Sequence, residues 1–121
     1  MLTVRTERAG DVAVVKCAGR IVRGEEPALR NAVHQEQLAR MVVLDLSDVE
    51  TVDAGGLNLL VSLHRWTEGN GTHLKLVNPR PFVREMLTRT HLNCVFDISS
   101  FHDAVTVLCS RVRRAEPAMA Y

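Results

Sequence analysis

The chain has 121 residues, 46% of them apolar, with 15 basic and 14 acidic side chains and a formal net charge of +1. That length holds one domain around one core, and the apolar share excludes intrinsic disorder. The near-neutral balance gives no electrostatic case for nucleic acid, which needs a concentrated basic face.

Residues 2–7 read as a short strand, and Ala9-Gly10-Asp11 as a turn. The valine-rich "VAVVKCAGRIV" (12–22) reads as a second strand, so the two make a hairpin. After Gly24 and Pro27, the spacing of Ala28, Leu29, Ala32, Val33 and Leu38 predicts an amphipathic helix from Glu25 to Arg40. "MVVLDLS" (41–47) is a continuous apolar run that fits a strand covered on both faces. Residues Asp48 to Gly56 then read as a loop, and Leu57 to Glu68 as a second helix stopped by "EGNGT". "HLKLV" (73–77) alternates as a strand does, and 78–90 predicts a third helix with proline at its start. "CVFDI" (94–98) reads as a last short strand. A final helix is expected at 101–114, with Ala104, Val105, Leu108 and Val112 on one face and Arg111, Arg113 and Arg114 in its last turn. The tail 115–121 is expected to fray.

The order β-β-α-β-α-β-α-β-α implies one α/β domain over 1–114, with a mixed, mostly parallel sheet of about five strands and about four helices. No apolar run approaches the ~20 residues of a membrane-spanning helix. "MLTVRTERAGD" carries charges where a signal peptide needs an apolar core. The cysteines, Cys17, Cys94 and Cys109, are odd in number and widely spaced, so no disulfide framework follows and a reducing cytoplasm is expected.

Little in the chain carries reaction chemistry. The histidines (His34, His64, His73, His91, His102) are scattered, with no paired-ligand spacing. No P-loop, dinucleotide fingerprint or nucleophile elbow occurs. Asp45, Asp48 and Asp53 surround one strand end and could hold magnesium. However, Asp48 also fits a turn, and Asp53 fits a helix N-cap whose carboxylate accepts orphan N–H groups. No metal, cofactor or catalytic residue is assigned, and an enzyme is the weakest reading. The second helix is more informative. Its leucines cover a wide arc, and Asn58, Ser62 and Arg65, spaced by four and three, form the remaining polar stripe. A thin polar stripe directly after a glycine-rich turn suits a protein contact, but a plain solvated face also accounts for it, and the residues alone favour the solvated face.

The ordered set "LDLS", "VETVDAGGL", "GNG" before "LKLV", and "VREMLTRTHLNCVFDI" resembles the core of a STAS domain of the bacterial anti-sigma factor antagonist type. "CAGRIVRGEEPALRNAV" resembles that family's second strand and first helix, so the likeness spans roughly residues 3–110. The resemblance implies a non-catalytic module in a partner-switching regulatory pathway. Its partner would be a serine kinase of the histidine-kinase-like ATPase fold that doubles as an anti-sigma factor. Docking would run through Asp53, Ala54, Gly55, Gly56, Asn58, Ser62 and Arg65. The family's phosphoacceptor, a serine or threonine, directly follows the aspartate, and here that position is Ala54, which cannot take phosphate. Thr51 and Ser47 are the nearest hydroxyls, at a shifted register. The same stretch also resembles STAS subunits of lipid-transport ABC systems, which pack on their ATPase, and a scaffolding STAS subunit is a third reading. Monomer and homodimer are both open.

Overall fold

The computed structural model describes residues 1–92 and 95–99. The elements run β1 (Leu2–Ala9), β2 (Val12–Ile21), α1 (Glu26–His34), β3 (Met41–Val52), α2 (Ala54–Gly69), β4 (His73–Val77), α3 (Pro81–Arg89) and β5 (Asp97–Ser99). They form a five-stranded sheet in the order β1-β2-β3-β4-β5. β1 and β2 are antiparallel, as a tight hairpin requires, and the three later pairings are parallel. The expected mixed, mostly parallel α/β fold is the one found. The final helix expected at 101–114 and the tail lie outside the described residues.

Each parallel crossover steps to the next strand in the same direction. Right-handed connections that always step one way place their helices on the same face of a sheet. Accordingly, Leu29 and Val33 of α1, Leu57, Leu60 and Leu63 of α2, and Val83 and Leu87 of α3 share one core cluster. Its floor is Ala13, Val15, Val42, Leu44, Leu74 and Leu76. The opposite face carries a smaller cluster of Val12, Met41, Val43 and Val77. The continuous apolar run of β3 therefore serves both faces, as its lack of alternation indicates.

Several boundaries differ from the sequence reading. α1 stops at His34, not Arg40, and Leu38, expected on its buried face, is 95% exposed. The turn after α1 is held from elsewhere in the chain. Asn70 Nδ2 donates to the Gln37 carbonyl at 2.6 Å, and Thr72 Oγ1 to the Ala39 carbonyl at 2.9 Å. Glu36 is buried there on Arg8 Nε at 2.7 Å. These bonds compete with another helical turn and win. β3 continues to Val52 through residues expected to be loop, because 48–52 pair with Ala18–Ile21 across two register shifts. α2 starts at Ala54, not Leu57. β5 begins at Asp97, three residues after the expected start at Cys94.

Candidate functional site

The site grows from the end of β3, which delivers the chain into α2. Asp53 is the N-cap, in extended conformation, and its Oδ1 accepts the Gly56 N–H at 2.8 Å. Both carboxylate oxygens also accept the backbone N–H of Arg23, at 3.1 and 3.2 Å. The N–H of Gly56, then that of Arg23, hold the Asp53 carboxyl below its ordinary pKa, because each bond favours the charged form. One side chain thus caps α2 and ties down the β2–α1 turn.

The two glycines have a steric reason. A Cβ on Gly56 would collide with the Ile21 carbonyl oxygen, and one on Gly55 would stand 2.9 Å from Arg23 Cβ. The start of α2 lies directly against the backbone leaving β2. Glycine permits that approach because it has no side chain to displace.

Ala54 is exposed on the first turn of α2, and Asn58, Ser62 and Arg65 are exposed beyond it. Leu57, Leu59, Leu60 and Leu63 are buried on the opposite arc. The structure thus brings the sequence-derived stripe together on one face and adds the Ala54 methyl at its head. Gly55 is half-buried and Gly56 fully buried, so these two shape the turn and present little surface. Thr51 is half-buried within β3, opposite Arg20 of β2. Ser47 is exposed but lies mid-strand, its carbonyl accepting Arg80 Nε at 2.8 Å. Neither hydroxyl occupies the helix start.

A groove of about 570 Å³ opens beside this face, between α1 and α2. Arg23, Glu26, Pro27 and Arg30 line one side, and Ala54, Gly55, Asn58, Leu59 and Ser62 the other. At the far ends of the helices, His34 stacks on Trp66 with ring centroids 4.3 Å apart and closes the gap. The sequence reading missed Arg23 and Arg30. The available signal was Gly24 and Pro27, which mark a turn at the carboxyl end of β2, where such sheets gather their sites.

The acidic residues do not converge as a metal centre. The Asp53 carboxylate is taken up by backbone N–H groups, Asp48 lies within β3 rather than in a turn, and Asp45 Oδ1 accepts the Ser47 N–H at 3.0 Å. Among the described residues no three His, Cys, Asp or Glu side chains cluster with metal-binding geometry. Among them, too, no helix is long and apolar enough to cross a membrane.

The family model described as STAS domain matches residues 3–105. Comparison with curated proteins gives no match. An anti-sigma factor antagonist from Mycobacterium paratuberculosis is similar at 26% identity and a TM-score of 0.74, over 88% of this chain and 93% of that one. The antagonist SpoIIAA in its unphosphorylated form has a TM-score of 0.72 at 17% identity, covering 92% of this chain and 96% of its own. A sulfate transporter family protein from Wolinella succinogenes has a TM-score of 0.77 at 18% identity, covering 88% and 92%. The latter two likenesses establish the fold alone.

Proposed function

The chain belongs to the STAS domain family, and from that premise we propose that it is a non-catalytic docking module of the anti-sigma factor antagonist kind. It works in the cytoplasm within a partner-switching pathway. Its partner is a serine kinase of the histidine-kinase-like ATPase fold that also serves as an anti-sigma factor. The docking surface is Asp53 to Arg65, with Ala54, Asn58, Ser62 and Arg65 in contact and Asp53, Gly55 and Gly56 setting the backbone.

The observation that carries this reading is the exposed row of Ala54, Asn58, Ser62 and Arg65 on a helix whose first turn is clamped by Asp53. A clamped, weakly charged face suits a protein surface, since little ordering entropy remains to be lost on binding. In relatives with a hydroxyl after the aspartate, phosphorylation would put a dianion at the helix start. There it is tolerated in the free protein but repelled or desolvated within an interface. A methyl at position 54 keeps the surface in its binding form at all times.

The test is affinity capture from the native organism with the full chain as bait. Recovery of a histidine-kinase-like ATPase supports the reading. Recovery of a transporter ATPase instead moves the protein to the lipid-transport class, and recovery of neither overturns it.

A further inference from the structure

Five of the ten exposed arginines among the described residues have a carboxylate partner there. Arg5 faces Glu7, Arg8 faces Glu36, Arg20 faces Glu50, Arg40 faces Asp11 and Arg89 faces Glu85. Arg23 and Arg30, with Arg65, Arg80 and Arg84, have none among those residues. Neither the Arg23 nor the Arg30 guanidinium lies within 4.0 Å of a carboxylate oxygen of the described residues. These two line the α1–α2 groove beside the Ala54–Asn58–Ser62 face.

Two carboxylates beside the groove accept backbone hydrogen bonds. Both Glu26 oxygens accept the Gly24 N–H at 2.9 Å, and Asp53 accepts Gly56 and Arg23 N–H groups. That backbone bond from Gly24 is also the main cause that lowers the Glu26 pKa, with Arg30 and Arg23 contributing less, through space. The groove therefore carries two guanidiniums and one carboxylate, that of Glu26, beside Pro27, and its lining is net positive.

Resting on the docking reading above, we propose that this groove receives an acidic side chain of the partner protein, held by Arg23 and Arg30. A guanidinium fork matches a carboxylate in geometry as well as charge. The groove runs directly into the Ala54–Ser62 face, so one partner surface covers both. Among the described residues the nearby carboxylates Glu26 and Asp53 are fixed to backbone, so the acid is assigned to the partner. Exposed ion pairs add modest affinity, so their main effects here are on partner choice, register and association rate. The partner surface opposite Ala54 should accordingly carry aspartate or glutamate where it meets α1.

The test needs no knowledge of the partner. The full chain, 15N-labelled, is titrated with acetyl-Leu-Glu-Glu-Leu-amide, and separately with its lysine counterpart and with inorganic phosphate. The acidic peptide should shift the Arg23 and Arg30 side-chain Nε resonances and the Ala54 and Gly55 amides, and the lysine peptide should not. Arg23→Gln with Arg30→Gln should weaken that binding by about fivefold, the scale of one exposed ion pair. Both side chains are exposed, so the variant's spectrum should retain its dispersion. Equal responses to both peptides, shifts confined to other arginines, or a stronger response to phosphate than to the acidic peptide would each overturn the proposal. Failure to capture an ATPase sinks the docking reading instead, so the two failures are distinguishable.

Discussion

The Asp53 carboxylate holds the backbone N–H of Arg23, thirty positions earlier in the chain, at 3.1 Å. The same group caps α2 through Gly56. The β2–α1 turn and the start of α2 are thereby one unit, and the exposed face and the groove are both built on it. A change at Asp53 should therefore be felt on both sides of the groove.

Asp53→Asn keeps a competent N-cap but removes the charge. The folded-state pKa of Asp53 is lowered from 3.8, so its charged form stabilises the fold above that value. This contribution is lost as pH falls through the lower folded-state pKa. Denaturant melts should show the variant less stable than the natural protein at pH 7, with the gap closing in acid below the ordinary carboxylate range. A gap independent of pH would contradict this assignment.

Gly56→Ala should destabilise the protein by about 3 kcal/mol, the upper range of overpacking costs, because the obstacle is the Ile21 backbone rather than a movable side chain. Gly55→Ala should cost less, since it presses on Arg23 Cβ at 2.9 Å at the exposed turn. Urea unfolding of the two variants side by side checks the order.

Ala54→Ser should become a substrate of the captured kinase, as the new hydroxyl would sit on the exposed first turn of α2. Phosphorylation should then weaken the complex by at least about tenfold, because the dianion meets a desolvated interface. Mass spectrometry and a pull-down with and without ATP read both effects. The natural protein should keep its partner under ATP.

Cys17 lies on β2, buried in the main core, and burial, then the Asp45 charge, push its thiol pKa up to about 12. Iodoacetamide at pH 8 should leave the Cys17 peptide unlabelled in the folded protein and label it in urea. Labelling at equal rates in both would show that the site opens readily.

Leu60 is fully buried on the underside of the docking helix. Leu60→Ala should cost about 3 kcal/mol, through lost transfer energy and a residual cavity. Ser62→Ala, exposed on the same helix, should leave thermal stability nearly unchanged.

Local signals carried far in this chain. The bounds of "HLKLV" matched β4 to the residue, although Leu74 to Val77 are all buried and do not alternate, and the alternation of strands with helices determined an α/β sheet. The spacing of Asn58, Ser62 and Arg65 sufficed to place them on one helical face, because 3.6-residue periodicity is a property of the chain alone. Asp53 was legible as a cap because its short carboxylate can accept the orphan N–H groups of a helix start. Tertiary structure decided the rest. Residues 48–52 became strand only because Ala18–Ile21 lay alongside to bond them, and α1 ended early because Asn70 and Thr72 claimed the carbonyls beyond it. The clamp from Asp53 to Arg23 and the groove between Arg30 and Ser62 join segments far apart in sequence. Composition and periodicity report what each segment prefers, whereas such a site depends on which distant segments are brought into reach.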